Sequence, residues 1–256
     1  MEVTMMAKSR TFRSERQRNV ELQEIRIFLS AILLIPCLLC SCGRTVKDLV
    51  HNPDFALQNH PKRTLNVMIV TEEEPDTREL TQWLETCGRT IDEQVGITLK
   101  PAQFVQVKNL PSVNDISGRL TALHSAGEGR NDWDIMINPA GYGTLDIALG
   151  LMNLFLPVPM YQGYIDDTYR KIIVLKSRDC RTFVHEFFHA FILSHNHSNG
   201  IMAGMTFQLL PFTPPLNNTL YLNEKDRDEV LKNKWRDFRT KSQLSLETQR
   251  DLIRKE

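Results

Sequence analysis

The chain has 256 residues, of which 41% are hydrophobic and 24% are charged, and this balance supports a packed core and excludes a wholly disordered chain. The 31 Lys and Arg residues equal the 31 Asp and Glu residues in number, so there is no basic field to favour nucleic acid as the partner. Five cysteines are too few for a scaffold built on disulfides, and the length predicts one domain with additional segments.

The N-terminal segment, residues 1–41, is predicted to be a signal peptide of the lipoprotein type. Its apolar stretch, 27–39, is too short to span a membrane comfortably but suits the hydrophobic region of a signal peptide, and basic residues precede it. The sequence Leu39-Cys40-Ser41-Cys42 resembles a bacterial lipobox. We therefore expect Cys42 to carry the lipid and to anchor the protein to a membrane of the bacterial cell envelope (the outer membrane or the periplasmic face). A plain secretion signal and an uncleaved anchor remain as alternatives.

The remaining chain predicts an α+β fold with a small twisted mixed sheet. After a tether over 42–64, apolar β-branched runs predict strands, and apolar residues spaced by three and four predict helices. The strands are expected over 65–71, 97–107 (broken or edged by Pro101), 133–138 and 171–177, and the helices over 77–94, 180–194 and 222–239. Residues 141–159 fit either a strand and loop or a buried helix. The main domain is thus predicted at 65–239, and a polar helical tail at 240–256.

The residues that indicate chemistry are His185, Glu186 and His189, which form the pattern HExxH within the predicted helix 180–194. On a helix the two histidines lie one turn apart on one face, so both imidazoles can bind a single metal ion. Zn²⁺ lowers the pKa of a bound water toward neutral, and Glu186 can take the proton as that water attacks a carbonyl group. Two buried imidazoles and a carboxylate without such a partner would be costly.

His195 extends the motif to HExxHxxxxxH, which resembles the metzincin clan of zinc metalloproteases. The spacing requires the helix to stop near residue 192 and the chain to bend back, because ten helical residues would place His195 about 15 Å from His185. The family has Gly at the bend, whereas this chain has Ile192. The bend can therefore shift toward Ser194 or Asn196 with His195 as the third ligand, which is the assignment we adopt, or His197 can be the ligand instead.

The resemblance continues downstream and implies an activity. Asn199-Gly200-Ile201-Met202 is similar to the Met-turn of matrixin-like metzincins, with Met202, or alternatively Met205, beneath the metal. The family implies a single zinc-dependent endopeptidase domain, with a C-terminal helix and a peptide or protein substrate. Family inference also places the substrate along an edge strand within 143–156 and a pocket wall at 203–216.

Other assignments remain open at this stage. Glu224 could serve as a third zinc ligand of the thermolysin type, although a solvated helix face explains it more simply. Cys87 and Cys180 could pair in an oxidising compartment, or could be buried free thiols. The alternative functions are a non-catalytic zinc-binding envelope lipoprotein and a zinc amidase acting on a cell-wall peptide.

Overall fold

The structure is a computed structural model that describes residues 61–143, 146–148, 162–203 and 219–253. The predicted signal peptide, its lipid-bearing Cys42 and nearly all of the tether lie outside the described residues. Most of the predicted substrate strand 143–156 and of the pocket wall 203–216, including Met205, also lies outside them.

One mixed sheet of five strands forms the centre of the described fold. The strands are β1 (Arg63–Thr71), β2 (Ile97–Gln106), β3 (Ile135–Pro139), β4 (Gly163–Ile165) and β5 (Ile172–Leu175), in the order β2-β1-β3-β5-β4. β4 alone runs antiparallel, pairing with β5 at one edge, and the other strands pair in parallel. The sheet confirms the expected mixed α and β architecture.

β2 forms the opposite edge of the sheet, and this position explains why the strand can contain a proline. Pro101 pairs with Val67, and the register then shifts, since Met68 pairs with Gln103. An edge strand tolerates proline because its outer N–H groups need no partner in the sheet, and the extra residue forms a bulge. The predicted strand over 97–107 therefore exists with its irregularity at the expected place.

Within the described residues, the helices of eight residues or more are α1 (Thr77–Val95), α2 (Ile116–Gly127), α3 (Cys180–His189), α4 (Glu224–Asn233) and α5 (Leu246–Ile253). The prediction placed α1, α3 and α4 correctly but extended α3 to residue 194 and α4 to 239. It did not include α2 or β4. No helix within the described ranges combines the length and apolarity needed to cross a membrane.

The sheet separates two apolar clusters. In β1, Leu65, Val67 and Ile69 point to the side that holds α1 and α3, whereas Met68 and Val70 belong to the cluster on the other side, which includes Leu123 of α2. This alternation is the period of two that a strand buried on both faces requires. The helix that carries the HExxH motif therefore packs on the sheet beside α1.

A disulfide joins α1 to the start of α3. Cys87 in α1 and Cys180, the first residue of α3, are bonded with their Cα atoms 5.0 Å apart. The bond closes a loop between residues 93 positions apart, and closing a loop of this size typically stabilises a fold by about 2–4 kcal/mol. Of the two alternatives left open by the sequence, the structure contains the bonded pair.

Candidate metal centre

The HExxH helix is short, amphipathic and capped. Asp179 is the N-cap residue, and its carboxylate accepts hydrogen bonds from the backbone N–H and the hydroxyl of Thr182, both at 2.8 Å. Phe183 packs against Trp83 of α1 with ring centroids 5.1 Å apart, so this face of α3 lies in the core. The histidines consequently lie on another face, and the helix ends at the second of them.

His185 and His189 direct their rings toward one point. Their Nε2 atoms are 3.2 Å apart, and the ring planes are nearly perpendicular at 86°. Two nitrogen ligands bound at about 2.0–2.1 Å to one tetrahedral zinc ion lie about 3.3 Å apart. The two imidazoles thus have the spacing that a shared zinc ion requires.

The protonation of this pair also suits a metal. Nδ1 of His185 lies 2.7 Å from the carbonyl oxygen of Ile201, which can only accept, so Nδ1 carries the proton and the Nε2 lone pair stays available. Burial lowers the pKa of His185 to about 4. Burial also lowers the pKa of His189, and the nearby His185 and Arg170 lower it further. Both rings are therefore neutral at neutral pH, which is the form that binds metal.

His197 completes the group. Its ring centroid lies 5.6 Å from that of His185 and 5.4 Å from that of His189, and one nitrogen of each ring lies within 4.8 Å of the others. His189 is buried, whereas His197 is exposed, so the centre faces solvent on the His197 side. Three imidazoles with access for water or substrate are a donor set typical of catalytic zinc.

The structure places His195, which the sequence predicted as the third ligand, outside this histidine group. The Nε2 atom of His195 lies 2.9 Å from Oδ1 of Asp226, and its Nδ1 atom lies 2.6 Å from the Ser194 hydroxyl. Both ring nitrogens are therefore engaged with α4 and the neighbouring serine, and His195 is not part of the histidine group. The third histidine stands eight residues after His189 instead of six.

The physical reason is the way in which the chain leaves α3. Ala190 has a helical conformation (φ −62°, ψ −23°), and the described residues with positive φ do not include Ile192. A β-branched residue is strained at positive φ, and here the strain is avoided. The chain instead makes a longer turn, 190–199, which delivers His197.

Side chains from other parts of the chain donate hydrogen bonds to the carbonyl groups at the end of α3, which a glycine turn would otherwise satisfy. The Arg170 guanidinium donates to the carbonyl oxygens of His189 and Ile192, at 2.9 and 2.6 Å, and to the Asn196 side chain at 3.2 Å. From α4 and the residues after it, Asn233 donates to the carbonyl of Phe191 at 2.7 Å, and Arg236 donates to that of Ala190. The carbonyl groups at the end of α3 are thus satisfied without a left-handed residue.

The N–H groups of the same turn are held by Glu229. Its Oε1 accepts from the backbone N–H groups of Leu193 and Ser194, at 2.7 and 2.8 Å, and its Oε2 accepts from the Ser194 hydroxyl. The tail contributes as well, since Ser245 donates to the Ser194 carbonyl at 2.6 Å. Neither Arg170 nor Glu229 was singled out from the sequence, because each lies far along the chain from the turn it supports.

Met202 lies in a short 3₁₀ helix, Gly200–Met202, and is fully buried. Gly200 opens this helix with φ +70°, and a Cβ atom there would come within 2.8 Å of the Tyr221 carbonyl oxygen. Only glycine fits both constraints. The Ile201 carbonyl contacts Nδ1 of His185, so this turn touches the centre through Ile201. The position of Met202 beneath a metal stays a prediction.

Glu186 lies beside the histidines but on the face toward β4. It is buried, and burial raises the pKa of its carboxyl group to about 8, while the Arg170 charge acts in the opposite direction. A carboxyl group with a pKa near the working pH is suited to accept and return a proton. The predicted alternative ligand Glu224 is exposed in the first turn of α4 and is not part of the histidine group.

Replacing Gly163 with alanine tests how closely Glu186 is positioned. A Cβ atom on Gly163 would lie 2.8 Å from Cγ and 3.1 Å from Oε1 of Glu186, and 3.1 Å from the Val174 carbonyl oxygen. The Glu186 side chain has to move, so we expect any hydrolytic activity to fall by about tenfold or more while zinc binding stays within about twofold. Steady-state hydrolysis and zinc titration measure the two effects. Unchanged hydrolysis in this variant would show that the position of the carboxylate is not critical.

Comparisons with known proteins give a coarse result. No family model matches the chain, and a search of curated proteins finds no relative. Among solved structures, the crystal structure of archaemetzincin from Methanopyrus kandleri is similar at a TM-score of 0.45 and 13% sequence identity, over 73% of this chain and 100% of that one. The likeness concerns the fold alone.

Proposed function

We propose that this protein is a zinc-dependent peptidase in which His185, His189 and His197 hold the ion. The observation that carries the proposal is the convergence of three imidazole nitrogens within 4.8 Å next to the buried carboxyl group of Glu186. A structural zinc site does not need that carboxyl group. The endopeptidase activity expected from the metzincin resemblance follows from the same residues.

A zinc ion held by His185, His189 and His197 would supply Lewis-acid chemistry for a substrate carbonyl and for water. The chain's own residues perform the remaining steps. Glu186 accepts the proton of the attacking water at its carboxylate and returns it to the leaving amine. A cation nearby favours the ionised form of a carboxyl group, so a loaded centre places Glu186 in the form that can accept a proton.

The neutral, oriented histidines keep the centre in its binding state. The Ile201 carbonyl fixes the tautomer of His185, and the Arg170 and Glu229 contacts hold the turn that carries His197. Preorganisation of this kind removes an ordering cost when the metal and the substrate bind.

We further propose that the protein acts at the bacterial cell envelope, attached through a lipid on Cys42. The support is the sequence alone: the basic and apolar segments of residues 1–41 and the lipobox-like residues that follow. Replacing Cys42 with alanine should release the protein from the membrane fraction, and unchanged membrane pelleting would contradict the lipid anchor.

The proposed activity is tested with the purified full-length protein and its Glu186→Gln variant. Zinc content is measured in both, and cleavage is measured on a peptide library and on cell-wall peptides. We expect one zinc per chain in both proteins and a loss of cleavage by at least about a hundredfold in the variant, the range for a general base.

Glu224→Gln provides the matched control, because it makes the same change at an exposed glutamate. It should leave both zinc content and cleavage unchanged. Bound zinc in a wild-type protein that cleaves neither peptide set would contradict the peptidase and favour the non-catalytic zinc-binding protein. Cleavage confined to the cell-wall peptides would make the enzyme an amidase of the cell wall.

A further inference from the structure

Arg181 lies on the same stripe of α3 as the metal-binding histidines. Residues 181, 185 and 189 follow at steps of four, so their side chains occupy one side of the helix, one turn apart. The side chains of the two neighbouring residues already have partners. Cys180 is bonded to α1, and the Thr182 hydroxyl contacts the Asp179 carboxylate and lies 3.0 Å from the Gln162 side chain. Arg181 therefore stands next to the centre, on the side of His185 away from His189.

Arg181 is partly buried, and two of its three guanidinium nitrogens have no acceptor in the described part of the chain. Its Nε and Nη2 atoms are inaccessible to solvent and have no hydrogen-bond partner among the described residues. Burial lowers the pKa of this group, and the charge of Asp179 acts in the opposite direction. However, the Asp179 carboxylate already accepts the capping hydrogen bonds from Thr182.

A buried donor without an acceptor lowers the stability of a fold. Within the described residues the Nε atom of Arg170 is unpaired as well, but both terminal nitrogens of Arg170 donate to other groups of the protein. Both terminal nitrogens of Arg236 donate to backbone carbonyl groups. The charge of Arg181 also lies near enough to the His185 ring to help lower its pKa. Arg181 thus has two hydrogen-bond donors without acceptors in the described ranges, Nε and Nη2, beside the centre at which a substrate would bind.

On the basis of the hydrolytic function proposed above, we propose that Arg181 binds a carboxylate group of the substrate next to the scissile bond. A guanidinium group binds a carboxylate through two parallel hydrogen bonds and stays charged in proteins. The carboxylate belongs either to an acidic side chain or to the C-terminus of the substrate, and both have the same chemistry. The enzyme would then be selective for anionic peptides.

The distances on the helix agree with this assignment. Residues four apart on a helix are separated by about 6 Å along its axis, and one extended peptide residue spans about 3.3–3.6 Å. A carboxylate one or two residues from a carbonyl group at the centre can therefore reach Arg181. The residue acts on specificity and leaves the proton transfer to Glu186.

The test compares wild type, Arg181→Gln and the control Arg178→Gln, which removes the same charge at an exposed arginine paired with Glu79 on the surface. The probes are fluorescein-labelled peptide pairs that differ only as Glu against Gln at one position, or as a free against an amidated C-terminus. The first set reports an acidic side chain and the second a terminal carboxylate. One readout is kcat/KM, and the other is peptide binding to the zinc-loaded Glu186→Gln protein, with and without the Arg181 change.

We expect wild type and Arg178→Gln to favour the carboxylate member of one set by about tenfold to a hundredfold, as is typical for a hydrogen bond between charged groups. Arg181→Gln should lose this preference while binding the same amount of zinc. It should also unfold at an unchanged or higher temperature, whereas a structural arginine would make the variant less stable.

Two results would overturn the assignment: no carboxylate preference in wild type, or the same preference in Arg181→Gln. The same experiment distinguishes a failure of the Arg181 proposal from a failure of the peptidase proposal. Cleavage without a carboxylate preference removes only the role of Arg181, whereas Arg181-dependent binding of anionic peptides without cleavage removes only the peptidase.

Discussion

Replacing His197 with alanine is expected to weaken zinc binding by more than about a hundredfold, whereas replacing His195 with alanine should weaken it by less than about tenfold. His197 contributes one of the three converging nitrogens, and loss of a ligand costs more than the 10–100-fold typical of residues that only orient ligands. His195 instead binds Asp226 and Ser194. Zinc affinity is measured for both variants by competition with a chelator.

In the metal-free protein, His195→Ala should lower the free energy of unfolding more than His197→Ala does. Without metal, His195→Ala leaves the buried Asp226 carboxylate without one partner, which costs about 1–3 kcal/mol in the free energy of unfolding. His197 is exposed, and its removal should cost the metal-free protein much less. A larger loss of zinc affinity in His195→Ala than in His197→Ala would show that the turn 190–199 has been placed incorrectly.

The second large effect is expected at Arg170. Its guanidinium is buried and donates to two carbonyl groups of the turn and to Asn196. Arg170→Ala leaves these acceptors unpaired, so we expect the free energy of unfolding to fall by about 3 kcal/mol or more, on the basis of about 1–3 kcal/mol per buried unpaired group. Zinc affinity should fall as well, by about tenfold or more, because His197 is no longer held. Urea unfolding of the metal-free protein and chelator competition measure the two quantities.

Two further variants serve as controls for this prediction: Arg170→Lys, which keeps the charge, and Arg239→Ala, which removes an exposed arginine. Lysine keeps the charge but cannot bridge separate acceptors with a planar fork, so it should restore only part of the affinity. Arg239 is exposed, and its alanine variant should behave as wild type. If Arg170→Ala bound zinc as tightly as wild type, the turn would form without the arginine and its proposed role would be wrong.

The sequence was sufficient for the elements with strong local patterns. The apolar run that became β1, the helix spacing of α1 and the HExxH pattern all depend on residues close together in the chain. β4 has only three residues, too few to show a period. In α2, few of the residues are buried, so its apolar pattern is weak. The disulfide partners were named from the sequence, but their separation in space came only from the structure.

The choice between His195 and His197 shows where local patterns fail. Both histidines lie at distances along the chain that a turn can accommodate, and the choice depends on how the turn is built. That turn is held by Arg170, 22 residues from Ile192, and by Glu229, 36 residues from Leu193. Such contacts leave no local signal, although the absence of glycine at Ile192 did indicate that the turn departs from the metzincin pattern.

The proposed peptidase requires His185, His189 and His197 to bind one zinc ion. X-ray absorption at the zinc edge of the purified protein examines this binding, because it counts the imidazoles and reports their distance from the metal. We expect one zinc per chain with three imidazole nitrogens at about 2.0–2.1 Å in wild type, and two in His197→Ala. A spectrum with two imidazoles in wild type, or with sulfur at about 2.3 Å, would contradict it.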